Sequence, residues 1–178
     1  MSIRKIFFVA GVHGVGKGTL CNRLISLSQI DHIAASDLIR KRKELNKRKG
    51  VNDLLDNQEL LIQELNEFKS INKILLLDGH FCLFNSEMKI IKIPIEFYKK
   101  ISISKILLIV SNPEIIYQRI LSRDKDESGL NLTHVSALQK AEIEYAEFIS
   151  SHLGIPLIVI HNDNHLTDMQ LQQILNDF

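Results

Sequence analysis

The chain has 178 residues, 45% of them hydrophobic, and a formal net charge of +1 at pH 7. This length suits one compact domain with a sizeable core, and the near-neutral balance excludes an argument for nucleic-acid or membrane binding from overall charge. Its two cysteines, Cys21 and Cys82, are far apart, which excludes a disulfide scaffold or CxxC metal site and points to a reducing, cytoplasmic address.

Ile3 to Ala10 is apolar on both alternating faces, the pattern of a buried parallel strand. Arg4 and Lys5 before this run imitate a short signal peptide, but the run leads into a glycine-rich loop instead of a cleavage site. The loop reads GVHGVGKGT, with Gly11, Gly16 and Lys17 at the GxxxxGK spacing, and a helix over Gly16 to Ser28 follows, with Leu20, Leu24 and Leu27 on its core-facing stripe. Polyphosphate needs many N–H donors converging near one point. A loop rich in glycine (Gly11, Gly14, Gly16 and Gly18, with His13 and Val15 between) wraps its backbone around such a group, and the helix N-terminus adds partial positive charge. Lys17 supplies a mobile ammonium for the outer phosphates.

His32 to Ala35 reads as a second strand, with Ser36 and Asp37 capping a helix through Leu38 and Ile39. From Arg40 to Lys49 every charged residue except Glu44 is positive, which is either a solvated helix end or a phosphate-attracting rim on a cleft. Apolar residues at Leu54, Leu55, Leu61, Ile62, Leu65 and Phe68 predict an amphipathic helix over Asp53 to Phe68. Ile74 to Leu77 is a short buried strand ending in Asp78 and Gly79. Phe81 to Lys100 reads as irregular, with Pro94 breaking any long helix and a turn or two over Ile95 to Lys99. Ile103 to Val110 is the next buried strand, and Asn112 followed by Pro113 starts a helix reaching about Arg123. A polar loop from Asp124 to Leu130 precedes a long helix over Thr133 to His152. Gly154 and Pro156 punctuate the chain before a strand over Leu157 to Ile160, and Thr167 with Gln170 makes a capping box for the last helix. Strands alternating with helices predict an α/β fold of three layers, a five-stranded parallel sheet flanked by helices. No apolar run approaches the roughly 18 residues of a membrane helix.

Ligands of such sheets gather at the C-terminal strand ends, which singles out the glycine-rich loop, Ser36 and Asp37, Asp78 and His80, and the stretch from His161 to His165. Asp78 is suited to hold Mg²⁺, a hard ion that takes oxygen ligands and accompanies nucleotide phosphates. His80 has three readings: it orients a nucleophile, bonds a phosphate or satisfies a buried carbonyl. Arg119 and Arg123, at i and i+4, either neutralise a transferring phosphoryl group or form a surface pair with Asp124 or Glu127. Arg40 is placed to clamp an acceptor's anionic group. His161, Asp163 and His165 alternate as metal ligands do, but a loop touching a nucleotide base fits them better, and Glu142, Glu144 and Glu147 read as a solvated helix face.

Taken together, GVHGVGKGT at Gly11 to Thr19, SDLIR at Ser36 to Arg40, the strand ending DGH at Asp78 to His80, and Arg119 with Arg123 resemble the P-loop nucleoside monophosphate kinases of the adenylate kinase type. The DGH motif and the short polar stretch after Arg123 are most similar to a short-lid subgroup that includes archaeal and nuclear adenylate kinases. The resemblance implies one kinase domain over residues 1–178, with residues 36–70 binding the acceptor and 119–131 forming a short lid. It implies ATP and Mg²⁺ as cofactors, with Lys17 on the transferred phosphate, Thr19 on the ATP phosphates and metal, and Asp78 on the metal. Catalysis would fall to Lys17, Asp78, His80, Arg119 and Arg123, and acceptor binding to Ser36, Asp37 and Arg40. Two departures bear on the acceptor. Adenylate kinases outside the subgroup follow the strand-end Asp-Gly with an arginine that contacts AMP, where this chain has Phe81 and Cys82, and a common base-side threonine is Ala35 here. The expected activity is transfer of the γ-phosphoryl group of MgATP to a small acceptor, a nucleoside monophosphate above all, with another small acceptor as an alternative. A different class of reading is an ATP-dependent switch acting on an RNA or protein partner through Arg40 to Lys49.

Overall fold

The computed structural model describes residues 5–48, 57–69, 72–124, 129–164 and 166–178. In chain order the elements are β1 (Lys5–Ala10), α1 (Lys17–Leu27), β2 (Asp31–Ala34), α2 (Ala35–Arg48), α3 (Asn57–Glu67), β3 (Ile74–Asp78), β4 (Cys82–Phe84), β5 (Ile90–Lys92), α4 (Ile95–Lys100), β6 (Ile103–Val110), α5 (Pro113–Asp124), α6 (Leu132–Leu153), β7 (Leu157–His161) and α7 (Asp168–Asn176).

The apolar strands associate in parallel, in the order β2-β3-β1-β6-β7. Helices cover both faces, as the unbroken apolar runs of β1, β3 and β6 require. β1 is central. Its two hydrogen-bonded neighbours belong to crossovers running to opposite sides, so a crevice opens beyond its C-terminal end, where the glycine-rich loop lies. Asp78, the last residue of β3, pairs in register with Val9 of β1 and Ala34 of β2. This register brings three predicted stretches to one edge of the sheet.

Two expectations change. Ala35 already belongs to α2, so Ser36 and Asp37 sit in its first turn instead of capping it. Phe81 to Lys100 is more regular than its composition suggested: β4 and β5 form an antiparallel hairpin with Cys82 opposite Lys92. A hairpin needs only short strands and a turn, here stabilised by Asn85, whose side chain accepts from the backbone N–H groups of Glu87 and Lys89. The predicted Leu54 and Leu55 lie outside the described residues. The Thr167–Gln170 capping box is present. Among the described residues no helix is long and apolar enough to cross a membrane.

Under the crevice the core is aromatic. Phe8, Phe81 and Tyr98 meet with ring centroids 4.9–5.1 Å apart, and Tyr98 donates its hydroxyl to the carbonyl of His80. The turn carrying His80 is therefore anchored by packing and by a hydrogen bond.

Candidate functional site

Two cavities adjoin at the C-terminal edge of the sheet. The first, about 540 Å³, is lined by the loop (His13, Gly14, Gly16, Lys17, Gly18, Thr19), by Arg119 and Arg123 of α5, and by Asn162 after β7. The second, about 580 Å³, lies between α2, α3 and the hairpin, with Arg40, Lys43, Asn57 and Gln58 around the apolar Phe8, Ile39, Leu61, Leu83, Ile93 and Phe97. Ser36, Asp78 and His80 line both.

The loop is built for close backbone approach. Gly11 has φ +144°, and a Cβ there would lie 2.6 Å from the carbonyl oxygen of Ile109; Gly16, at φ +101°, would meet the Asn162 amide. Both positions therefore demand glycine. Lys17 is nearly buried, and its ammonium donates to the carbonyls of Gly11 (2.8 Å) and Val12 (3.3 Å). Burial lowers its pKa, opposed by the charges of Asp78 and Glu142. Val15 points into the core, while its carbonyl accepts from Asn162 (2.8 Å) and Arg119 (3.3 Å). Arg119 also donates to the carbonyl of Asn162 (2.9 Å). These contacts tie α5 and the post-β7 loop to the glycine-rich loop. Arg123 lies 3.3 Å from His13 Nδ1, and Glu127 falls outside the described residues.

Asp78 Oδ2 is 3.4 Å from His32 Nε2. His80 is half-buried, and its Nδ1 has no hydrogen-bond partner among the described residues. Burial, with Lys17 and His13 close by, pushes its pKa down to about 3, so the ring is neutral at physiological pH. Asp37 is exposed, lines neither cavity and pairs with Arg40 at 2.9 Å. The basic run divides by function: Arg40 and Lys43 line the second cavity, whereas Arg42 binds Glu64 and Glu67 of α3, both at 3.0 Å. Asp163 accepts from the Ser111 hydroxyl (2.9 Å) and the Asn112 N–H (2.6 Å), so it fixes the loop after β7. These bonds hold its carboxyl below the usual range. His165 lies outside the described residues.

Glu142 overturns the reading of a solvated face. Glu144 and Glu147 are exposed, but Glu142 is 1% exposed and its carboxylate accepts three backbone N–H bonds, from Gly11 (3.1 Å), Phe81 (2.8 Å) and Cys82 (2.7 Å). Burial drives its pKa up, while those donors and Lys17 pull it down. One side chain thus joins the first residue of the loop to the turn behind His80. A signal existed: Val135, Leu138, Gln139, Glu142, Tyr145, Ala146 and Ile149 are the buried stripe of α6, and Glu142 falls on its helical spacing. Gln139, one turn earlier, exchanges hydrogen bonds with the backbone of Ser111.

A glycine-rich loop between a central strand and a helix, with a buried lysine and a carboxylate on the neighbouring strand, defines a P-loop fold of the kinase type. The family model described as AAA domain matches residues 10–136, and the chain belongs to that family. Over 146 residues, 79% of this chain and 75% of the relative, it is 25% identical to adenylate kinase isoenzyme 1 of Rattus norvegicus. Two solved structures share its fold: shikimate kinase from Bacteroides thetaiotaomicron (TM-score 0.56, 16% identity, 97% of this chain and 95% of that one) and TT1252 from Thermus thermophilus (TM-score 0.55, 18% identity, 98% and 96%).

Proposed function

We propose that the chain is a single-domain, adenylate-kinase-like phosphotransferase that moves the γ-phosphoryl group of MgATP to a nucleoside monophosphate. The observation that carries this reading is the pair of adjoining cavities that share Ser36, Asp78 and His80. Phosphoryl transfer asks for two ligands held end to end with cations around the moving group, and little covalent chemistry.

ATP occupies the first cavity. The loop N–H groups and the N-terminus of α1 bind its phosphates, and Lys17 exchanges its loop carbonyls for phosphate oxygens. Arg119 and Arg123 line the same cavity and neutralise charge as it develops. Mg²⁺ fits the oxygen donors of Thr19 and Asp78, which line that cavity; when bound it would neutralise phosphate oxygens. His80, at the junction of the two cavities, fits a hydrogen bond to a substrate group that the neutral ring makes without adding charge.

The second cavity suits a planar base. Its walls are apolar, and Arg40 and Lys43 provide the anion contacts. The arginine that adenylate kinases outside the short-lid subgroup carry after Asp-Gly has no counterpart, because Phe81 and Cys82 are fully buried and held by Glu142. Acceptor phosphate recognition therefore moves to α2. The short-lid assignment rests on the DGH motif and the brief α5-to-α6 connection, and the cytoplasmic address on two buried free cysteines.

The test is an ADP-coupled assay with purified protein across ribo- and deoxynucleoside monophosphates and shikimate. The expected result is acceptor-dependent ADP formation that Lys17→Ala slows by at least about 100-fold. ADP formation at the same rate with and without every acceptor contradicts the reading and favours an ATP-dependent switch.

A further inference from the structure

Behind the first cavity, Cys21 of α1, His32 of β2 and Asp78 of β3 converge, with one ligand atom from each lying within 4.8 Å of the others. Among the described residues this is the group of histidine, cysteine and carboxylate side chains with metal-holding geometry. The elements that bring them together are rigid. Asp78 pairs in register with Ala34 of β2 and Val9 of β1, and Cys21 lies one helical turn beyond Lys17 on the buried face of α1. Cys21 is fully buried, the His32 and Asp78 side chains are 14% and 13% exposed, and of the three Asp78 lines the first cavity.

We infer that Cys21, His32 and Asp78 form a Zn²⁺ site, whose fourth position opens toward the first cavity. A thiolate, an imidazole and a carboxylate make a donor set that selects a borderline-soft ion over Mg²⁺. In a tetrahedral zinc shell neighbouring ligand atoms stand roughly 3.3–3.7 Å apart, as follows from Zn–S and Zn–N bonds of about 2.3 and 2.0 Å. The His32–Asp78 separation of 3.4 Å already matches this spacing, and all three ligand atoms lie within 4.8 Å of one another. Binding replaces the Cys21 thiol proton, which passes to solvent, with the metal bond.

Such a site has a consequence that rests on the phosphotransfer reading. Asp78 is the carboxylate assigned there to Mg²⁺, and one carboxylate oriented on zinc no longer serves a magnesium–nucleotide complex beside it. Zn²⁺ and MgATP then oppose each other, and micromolar zinc inhibits turnover.

The experiment uses the metal-free full chain without nucleotide, so that its result is independent of any kinase activity. Zn²⁺ binding is measured by competition with a chromophoric chelator, and Co²⁺ replaces zinc for absorption spectroscopy. The expected result is one zinc per chain and, in the unmutated protein, a thiolate-to-cobalt charge-transfer band. Cys21→Ser is expected to lose the band, Cys21→Ser and His32→Gln each to weaken binding by at least about tenfold, and Cys82→Ser to keep both properties. The absence of a thiolate band in the unmutated chain, or zinc affinity unchanged in both Cys21→Ser and His32→Gln, overturns the inference. The spectroscopic readout on the unmutated chain holds even where a variant fails to fold.

Discussion

The two cavities share three residues but are built in different ways. The first is made mainly from one contiguous stretch, the loop and the start of α1, with α5 and the post-β7 loop closing over it. The second is assembled from separate elements, one face of α2, the start of α3, the turn from Asp78 to His80, and single residues of β1, β4 and α4. A polyphosphate is recognised by backbone donors, which need a local conformation, so its site is written in consecutive residues. A small acceptor is recognised by shape, which needs tertiary packing. Glu142 is the point at which the two constructions meet, bonding Gly11 on one side and Phe81 and Cys82 on the other.

That joint gives the largest expected effect. Glu142→Ala leaves three buried N–H groups without an acceptor and is expected to cost about 3–5 kcal/mol, read as a lower urea midpoint. Its milder companion Glu142→Gln keeps an oxygen acceptor, and is expected to raise KM for both substrates together. A change confined to one substrate would show that the cavities are independent.

Much of the fold was readable because its signals are local. The β1, β3 and β6 runs, the Asn112–Pro113 start and the Thr167–Gln170 box each reside within a few residues, and all appear in the structure. The hairpin was missed because Asn85's turn is made by hydrogen bonds that its polar neighbours do not advertise. Glu142 was misread for a different reason. A charged residue at a core position ordinarily signals a wrong face, and only the converging backbone donors from Gly11, Phe81 and Cys82, far away in sequence, make its burial tolerable. Asp37 shows the reverse: its place in a motif suggested a substrate contact, yet its carboxylate holds Arg40.

On the loop side alone, Lys17→Ala is expected to lower kcat about 10²–10³-fold in the coupled assay, with acceptor KM little changed. A large rise in acceptor KM would blur the division between the cavities. His80 at their junction sets a pH signature. Its ring stays neutral in the folded chain down to about pH 3, whereas the ordinary value is 6.5. The unfolded chain therefore takes up the proton first, and stability falls as pH drops from about 6.5 toward 3 while this contribution is flat above. His80→Gln is expected to flatten that part of the urea-midpoint profile. On the second side, Arg40→Ala is expected to raise acceptor KM about tenfold and leave ATP KM unchanged, since removing a charge-assisted hydrogen bond costs on the order of 1.5–3 kcal/mol. Smallest of all, Arg42→Ala, which unties α2 from α3, is expected to cost about 1–2 kcal/mol in denaturation and leave Lys17-side kinetics intact.

The most direct test of the two-cavity account is calorimetric titration with a bisubstrate analogue, two adenosines joined by five phosphates. The account predicts one analogue per chain, bound more tightly than ATP, with the excess affinity lost in Arg40→Ala and binding lost in Lys17→Ala. Binding no tighter than ATP and indifferent to Arg40→Ala would contradict it.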